Sequence, residues 1–132
     1  LVHDQESLPL HLSAVELLEW VLRSRVRWND GSNKEIDEMF DRLALLDDRH
    51  EQIGTYSTGM RKKTQVAAAF IVRPKVLILD EPMRGLDSSS RGEVEKMLVE
   101  AKKSGTLILM ASHTADVQAD YIDRVLSFPL LS

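Results

Sequence analysis

The sequence predicts an α/β chain in which a helical portion precedes part of a parallel sheet. Two short apolar runs, Lys75-Val76-Leu77-Ile78-Leu79-Asp80 and Thr106-Leu107-Ile108-Leu109-Met110-Ala111, flank a stretch in which Val94, Met97, Leu98 and Ala101 recur at helical spacing. Continuous apolar runs of that length are the pattern of strands buried on both faces. Strand, helix, strand in that order implies parallel pairing through a crossover. The first half of the chain carries only the helical period.

In chain order, Ser13-Ala14-Val15-Glu16 forms a capping box, with Glu16 three residues after the cap. Ala14, Leu17, Leu18, Val21 and Leu22 then line one face, which predicts a helix to about Arg25. Asn29-Asp30-Gly31-Ser32-Asn33 is a loop by composition. A second helix starts near Lys34, with Ile36, Met39, Phe40 and Leu43 on one side. Tyr56-Ser57-Thr58-Gly59-Met60 leads into a third, carrying Val66, Ala67, Phe70 and Ile71. Ser88 to Ser90 are available as caps for the crossover helix, and beyond the second strand a helix is expected over 115–120 and a third apolar run over 124–128. Trp20 is expected in the core and Trp28 at the surface of the helical portion.

The 132 residues suffice for about one domain. Lys and Arg total 17 against 21 Asp and Glu, a formal charge of −4, which argues against a protein that grips nucleic acid by neutralising phosphates. With 43% hydrophobic and 29% charged residues, the composition is that of a globular chain and not a disordered one. Zero cysteines exclude disulfide scaffolds and thiolate metal sites. His3, His11 and His50 lack metal-ligand spacing. No apolar run approaches the ~18 residues of a membrane span, and no signal peptide is evident. Because the chain opens on Leu1, N-terminal truncation is expected.

Four places carry chemistry. Open α/β sheets bind ligands beyond the carboxyl ends of their strands, and Asp80 and Glu81 stand there. Asp80 suits hydrated Mg²⁺, a hard cation that prefers carboxylate and water oxygens. Glu81 suits a base that polarises a nucleophilic water for phosphoryl transfer. Taken singly, the pair reads more readily as a solvated strand end. Ser57 as a cap, Gly59 for close backbone approach and the free N–H groups of a first helical turn make an anion site. Arg61, Lys62 and Lys63 crowd that helix start, where the macrodipole disfavours cations, so either an anion visits or the face is simply solvated. His113 follows the second run on the same edge, as a contact to terminal phosphate or as a structural group. Asp87, after Gly85-Leu86, is most economically a helix cap.

The order Ser57-x-Gly59, Leu79-Asp80-Glu81-Pro82, Gly85-Leu86-Asp87, Ser112-His113 resembles the ATP-binding cassette ATPases: signature, Walker B with its glutamate, D-loop and switch histidine. Leu8, His11, Leu12, Ser13 and Glu16 look like the stretch after that family's Q-loop, and 120–126 like the strand entered after the switch helix. The resemblance implies a partial P-loop NTPase-like sheet core with an inserted α-helical subdomain: 1–12 the end of the core and the Q-loop region, 13–72 the helical subdomain with the signature, 73–132 the remaining core. It further implies that Ser57 and Gly59 bind the γ-phosphate of an ATP held mainly by a second cassette in a head-to-tail dimer. Asp80 would serve Mg²⁺, Glu81 would be the general base, His113 would sense the γ-phosphate, and Asp87 would cross the dimer interface. Ungapped matching sets Asp4 at the Q-loop position, one residue from the preferred Gln5. Tyr-Ser-Thr-Gly-Met departs from the commonest signature, Leu-Ser-Gly-Gly-Gln, toward a variant seen in many export-type cassettes.

The phosphate-wrapping Gly-x-x-x-x-Gly-Lys-Ser/Thr loop is missing from the sequence, as is the family's adenine-stacking aromatic. The leading expectation is thus a truncated ATPase subunit of a membrane transporter, on the cytoplasmic face of the membrane beside a transmembrane permease, inactive alone and with no nucleic-acid partner. The alternatives are a cassette that acts on ribosomes or DNA, and a non-catalytic fragment that docks on a permease.

Overall fold

The computed structural model describes residues 8–111. The expectations for the 115–120 helix, the 124–128 run, Gln5 and His113 lie outside the described residues.

Helix α1 (Ala14–Ser24) opens on the expected capping box: Glu16 N–H donates to Ser13 Oγ at 3.1 Å, and Ser13 N–H donates to Glu16 Oε1 at 2.9 Å. Its inward face is Ala14, Leu17, Leu18 and Leu22. Trp20, expected in the core, is instead 63% exposed, while Trp28 is half-buried against the core. The helical period explains the exchange, since Trp20 lies about 200° around the helix from Leu18. Helix α2 (Ser32–Arg42) starts two residues earlier than expected, behind Gly31, and buries Ile36 and Phe40. Two single 3₁₀ turns, Leu46–Asp48 and Ile53–Thr55, return the chain beneath α1. There Ile53 N–H donates to Leu12 O at 2.8 Å, and the buried Tyr56 hydroxyl donates to Asp48 O at 2.5 Å.

Helix α3 (Thr58–Ile71) packs on α1, α2 and the crossover helix α4 (Ser88–Lys103). Strands β1 (Val76–Asp80) and β2 (Leu107–Ala111) pair in parallel, with Val76 opposite Leu107 and Asp80 opposite Ala111. The strand–helix–strand unit therefore forms as the periodicity predicts. One contiguous core runs from Leu18, Leu22, Ile36 and Phe40 through Val66 and Ile71 to Leu79, Val94 and Leu98. Arg42 ties α2 to α4 at the rim, with its guanidinium 2.8 Å from Glu100 and 3.3 Å from Glu93.

Burial of both strand faces is corrected. Leu77 and Leu79 are buried, whereas Val76, Ile78, Leu107 and Leu109 form an exposed apolar face. Helices pack on one side only among the described residues, and the strand period of two sends alternate side chains to the other. An apolar sheet face, and strand edges with no third strand beside them among the described residues, favour self-association. We therefore expect the 132-residue chain to associate with rising concentration in light scattering; a monodisperse, cooperatively unfolding monomer would contradict this.

Each helix ends in a left-handed residue: Val26, Ala44, Arg73 and Gly105, with φ of 57°, 56°, 46° and 92°. After α1, Arg27 N–H reaches Leu22 O at 2.8 Å and Val26 N–H reaches Arg23 O at 3.1 Å, a Schellman cap. Val26 is 93% exposed, so little packing offsets the strain of a β-branched residue there. Val26→Gly should stabilise the chain by about 1 kcal/mol in denaturant unfolding, and a destabilised variant would refute the assignment.

Candidate functional site at the strand ends

The acidic pair stands where the parallel pairing stops. Asp80 is the last residue of β1 and is exposed. Glu81 leaves the strand with φ of 47°, a left-handed conformation that costs a non-glycine residue about 1–2 kcal/mol. Its N–H donates to Ala111 O at 2.9 Å, and its own carbonyl accepts from Arg84 N–H at 3.1 Å. Two carboxylates thus sit at the carboxyl edge of the sheet, one of them in a conformation retained against local preference.

Ser57 caps α3, its Oγ accepting from Met60 N–H at 3.2 Å, and Arg61 N–H bonds Ser57 O at 3.0 Å. No acidic side chain occupies the first turn, so the positive end of the helix dipole is not neutralised from within it. The turn after β1 lies against this helix start. A Cβ placed on Gly59 would meet Gly85 O at 3.2 Å, which explains why glycine stands there. Gly85 itself has φ of 80°, and Thr58 Cγ2 faces it. The departure of Thr58 from the commoner signature glycine is thereby accommodated without displacing the turn.

Asp87 is the N-cap of α4, accepting from Ser90 N–H at 2.7 Å. Ser88 to Ser90, offered as caps from the sequence, are instead the first residues of the helix. The Ser90 backbone N–H, then the Ser90 hydroxyl, hold the Asp87 carboxyl below its ordinary 3.8, and the Lys63 ammonium adds attraction. A lowered carboxyl stabilises the fold above its unfolded pKa and loses that contribution as pH falls through the folded value. The stability margin of the chain over Asp87→Asn should therefore be constant near neutral pH and close only below about pH 4; a pH-independent margin would contradict the cap assignment.

The basic cluster at the start of α3 is bound up internally to an extent that the sequence did not show. Arg61 Nη2 donates to Gly54 O at 3.0 Å, and Lys62 Nζ donates to Asp80 O at 3.4 Å. Two of these three cations thus have partners within the fold. Lys62 is a residue whose part went unread. The available signal was its position one turn ahead of Val66 and two ahead of Phe70, in line with the apolar stripe.

The structure therefore brings Thr58 and Gly59 against Gly85, with Ser57 capping the same helix start, and joins α3 to the Asp80 carbonyl through Lys62. It says nothing of Gln5 or His113. Among the described residues no group of three or more His, Cys, Asp or Glu side chains is placed to hold a metal ion. An exposed Asp80 beside Glu81 fits a hydrated hard cation held largely by water and ligand oxygens, not an all-protein cage. No helix among them is long and apolar enough to cross a membrane.

Comparison with known proteins shows the family. Residues 2–84 match the ABC transporter family. The chain is 38% identical over 96 residues to the uncharacterized ABC transporter ATP-binding protein YdbJ of Bacillus subtilis, covering 72% of this chain and 31% of that protein. It is 35% identical over 97 residues to the energy-coupling factor transporter ATP-binding protein EcfA2 of Clostridium perfringens, covering 73% and 34%. To the daunorubicin/doxorubicin resistance ATP-binding protein DrrA of Streptomyces peucetius it is 36% identical over 88 residues, covering 67% and 27%. The fold superimposes on an ATP-binding subunit of an ABC transporter with a TM-score of 0.76 at 24% identity, over 80% of this chain and 44% of that one. A second match, at TM-score 0.70 and 20% identity over 86% and 51%, is an ATP-binding cassette in a dimeric post-hydrolysis state with ADP and Pi. The chain belongs to the ABC transporter family, and its fold is that of the P-loop NTPase cassette domains. It spans about a third of the length of these curated relatives.

Proposed function

We propose that this chain is the signature-to-switch portion of an ATP-hydrolysing cassette that drives transport through a membrane permease, with 1–12, 13–72 and 73–132 as its Q-loop, helical and core portions. The observation that carries the reading is the placement of Asp80 and Glu81 at the carboxyl edge of a parallel pair, with the Ser57-capped helix start against the adjoining turn. Relatives named as ATP-binding transporter proteins support it.

In this mechanism Glu81 orients the attacking water and takes its proton as the new phosphorus–oxygen bond forms and ADP leaves. Asp80 would hold Mg²⁺ through water, and the ion would supply charge neutralisation at the phosphates. Ser57 and Gly59 present a hydroxyl and backbone N–H groups to the γ-phosphate of an ATP held by a second cassette, where the helix dipole favours anions. Gln5 and His113 complete the nucleotide contacts, and Asp87 reaches across the dimer. The site lies on the cytoplasmic face of the membrane, and no nucleic acid takes part. We assign export on the Thr58-Gly59-Met60 variant and the likeness to DrrA. The sequence offers no lysine-bearing phosphate loop, so the 132 residues alone should neither bind ATP tightly nor hydrolyse it.

In the cassette completed with a phosphate-loop half, Glu81→Gln should lower ATP turnover by about 100-fold or more while ATP still binds. Turnover at the wild-type level in that variant, or micromolar ATP affinity in the isolated chain, would overturn the proposal.

A further inference from the structure

We propose that Lys62 is a positioning residue that sets the direction in which Glu81 leaves the strand; the inference rests on the function proposed above. Lys62 is only 7% exposed, and its Nζ donates to the backbone carbonyl of Asp80 at 3.4 Å. That carbonyl belongs to the same peptide unit as the Glu81 N–H, which donates to Ala111 O at 2.9 Å. A peptide unit is planar and rigid. Held at its oxygen from α3 and at its nitrogen from β2, it has little freedom to rotate. The residue that follows is the one with φ of 47°. A left-handed glutamate needs its surroundings to over-determine the backbone, and these two hydrogen bonds act on the peptide that governs it.

The choice of residue points the same way. An ammonium buried near the positive end of a helix is disfavoured twice, by desolvation and by the dipole. An apolar side chain in line with Val66 and Phe70 would pack there without either cost. What lysine adds is a long donor that reaches from the phosphate-facing helix to the acidic strand end. The close approach of Gly59 to Gly85 joins the same two segments.

The test has two arms. In the 132-residue chain, Lys62→Met should speed amide exchange of the Glu81 N–H by about ten-fold relative to the other β1 and β2 amides, and Lys62→Arg, which keeps a donor, should not. In the completed cassette, Lys62→Met should lower kcat about ten-fold or more with KM for ATP within about two-fold, and Lys62→Arg should restore most of the loss. A uniform change in exchange across both strands, or Lys62→Arg behaving like Lys62→Met, would overturn the proposal. If the wild-type cassette shows no ATP turnover, the proposed function fails, and the exchange arm alone decides the role of Lys62. If Lys62→Met does not fold, Lys62→Gln, a donor too short for the span, replaces it under the same criteria.

Discussion

Helix α3 is the constraint on which the rest of this structure depends. It packs against α1 and α2 on one side and against α4 on the other, and its first turns lie against the turn that follows β1. Val66, Ala67, Phe70 and Ile71 join the two halves of the core, so the helical portion and the strand pair are not separate bodies. Because the same helix presents the Ser57 cap at its start, the packing that makes the fold also fixes where an anion would meet the chain. Burial of several large side chains on one helix stabilises its position by several kcal/mol, far more than a single phosphate contact displaces. Any movement of the helix start is therefore carried as a unit.

The chemistry gathers where regular structure ends. Asp80 closes the ladder, Glu81 turns left-handed immediately after it, and Gly85 supplies the second positive φ of the turn. Sheet geometry alone would release the chain here into solvent. Instead two close approaches from α3 hold the turn, one at Gly59 and one through Lys62. A strained carboxylate held by neighbours on two elements is how a fold keeps a reactive group in place at the expense of local stability.

Much of this could be read from residue order. The capping box at Ser13, the crossover of β1, α4 and β2, and Asp87 as a cap all follow local rules that tertiary structure did not override. The differences between expectation and structure have separate causes. Burial of a strand face depends on what is packed against it, and an apolar run does not say whether one side or two are covered; Val76 and Ile78 are exposed for that reason. The position of Trp20 was knowable from the helical period but was judged by residue type. The partners of Arg61 and Lys62, Gly54 and Asp80, lie 7 and 18 residues away in the chain, so the sequence alone could not show them. Glu81 adopting a positive φ had no sequence signal, since glutamate has no preference for that region.

The proposed function rests on one claim: nucleotide would be met at a rim formed by the strand-end carboxylates of one cassette and the capped helix start of another. The most direct measurement is a crystal structure of the completed cassette carrying Glu81→Gln, grown with ATP and Mg²⁺. The account predicts the terminal phosphate between Ser57 and Gly59 of one copy and the Asp80 edge of the other, with the side chain at position 81 facing the phosphorus. Nucleotide bound away from β1, or a helix start turned from the phosphates, would contradict it.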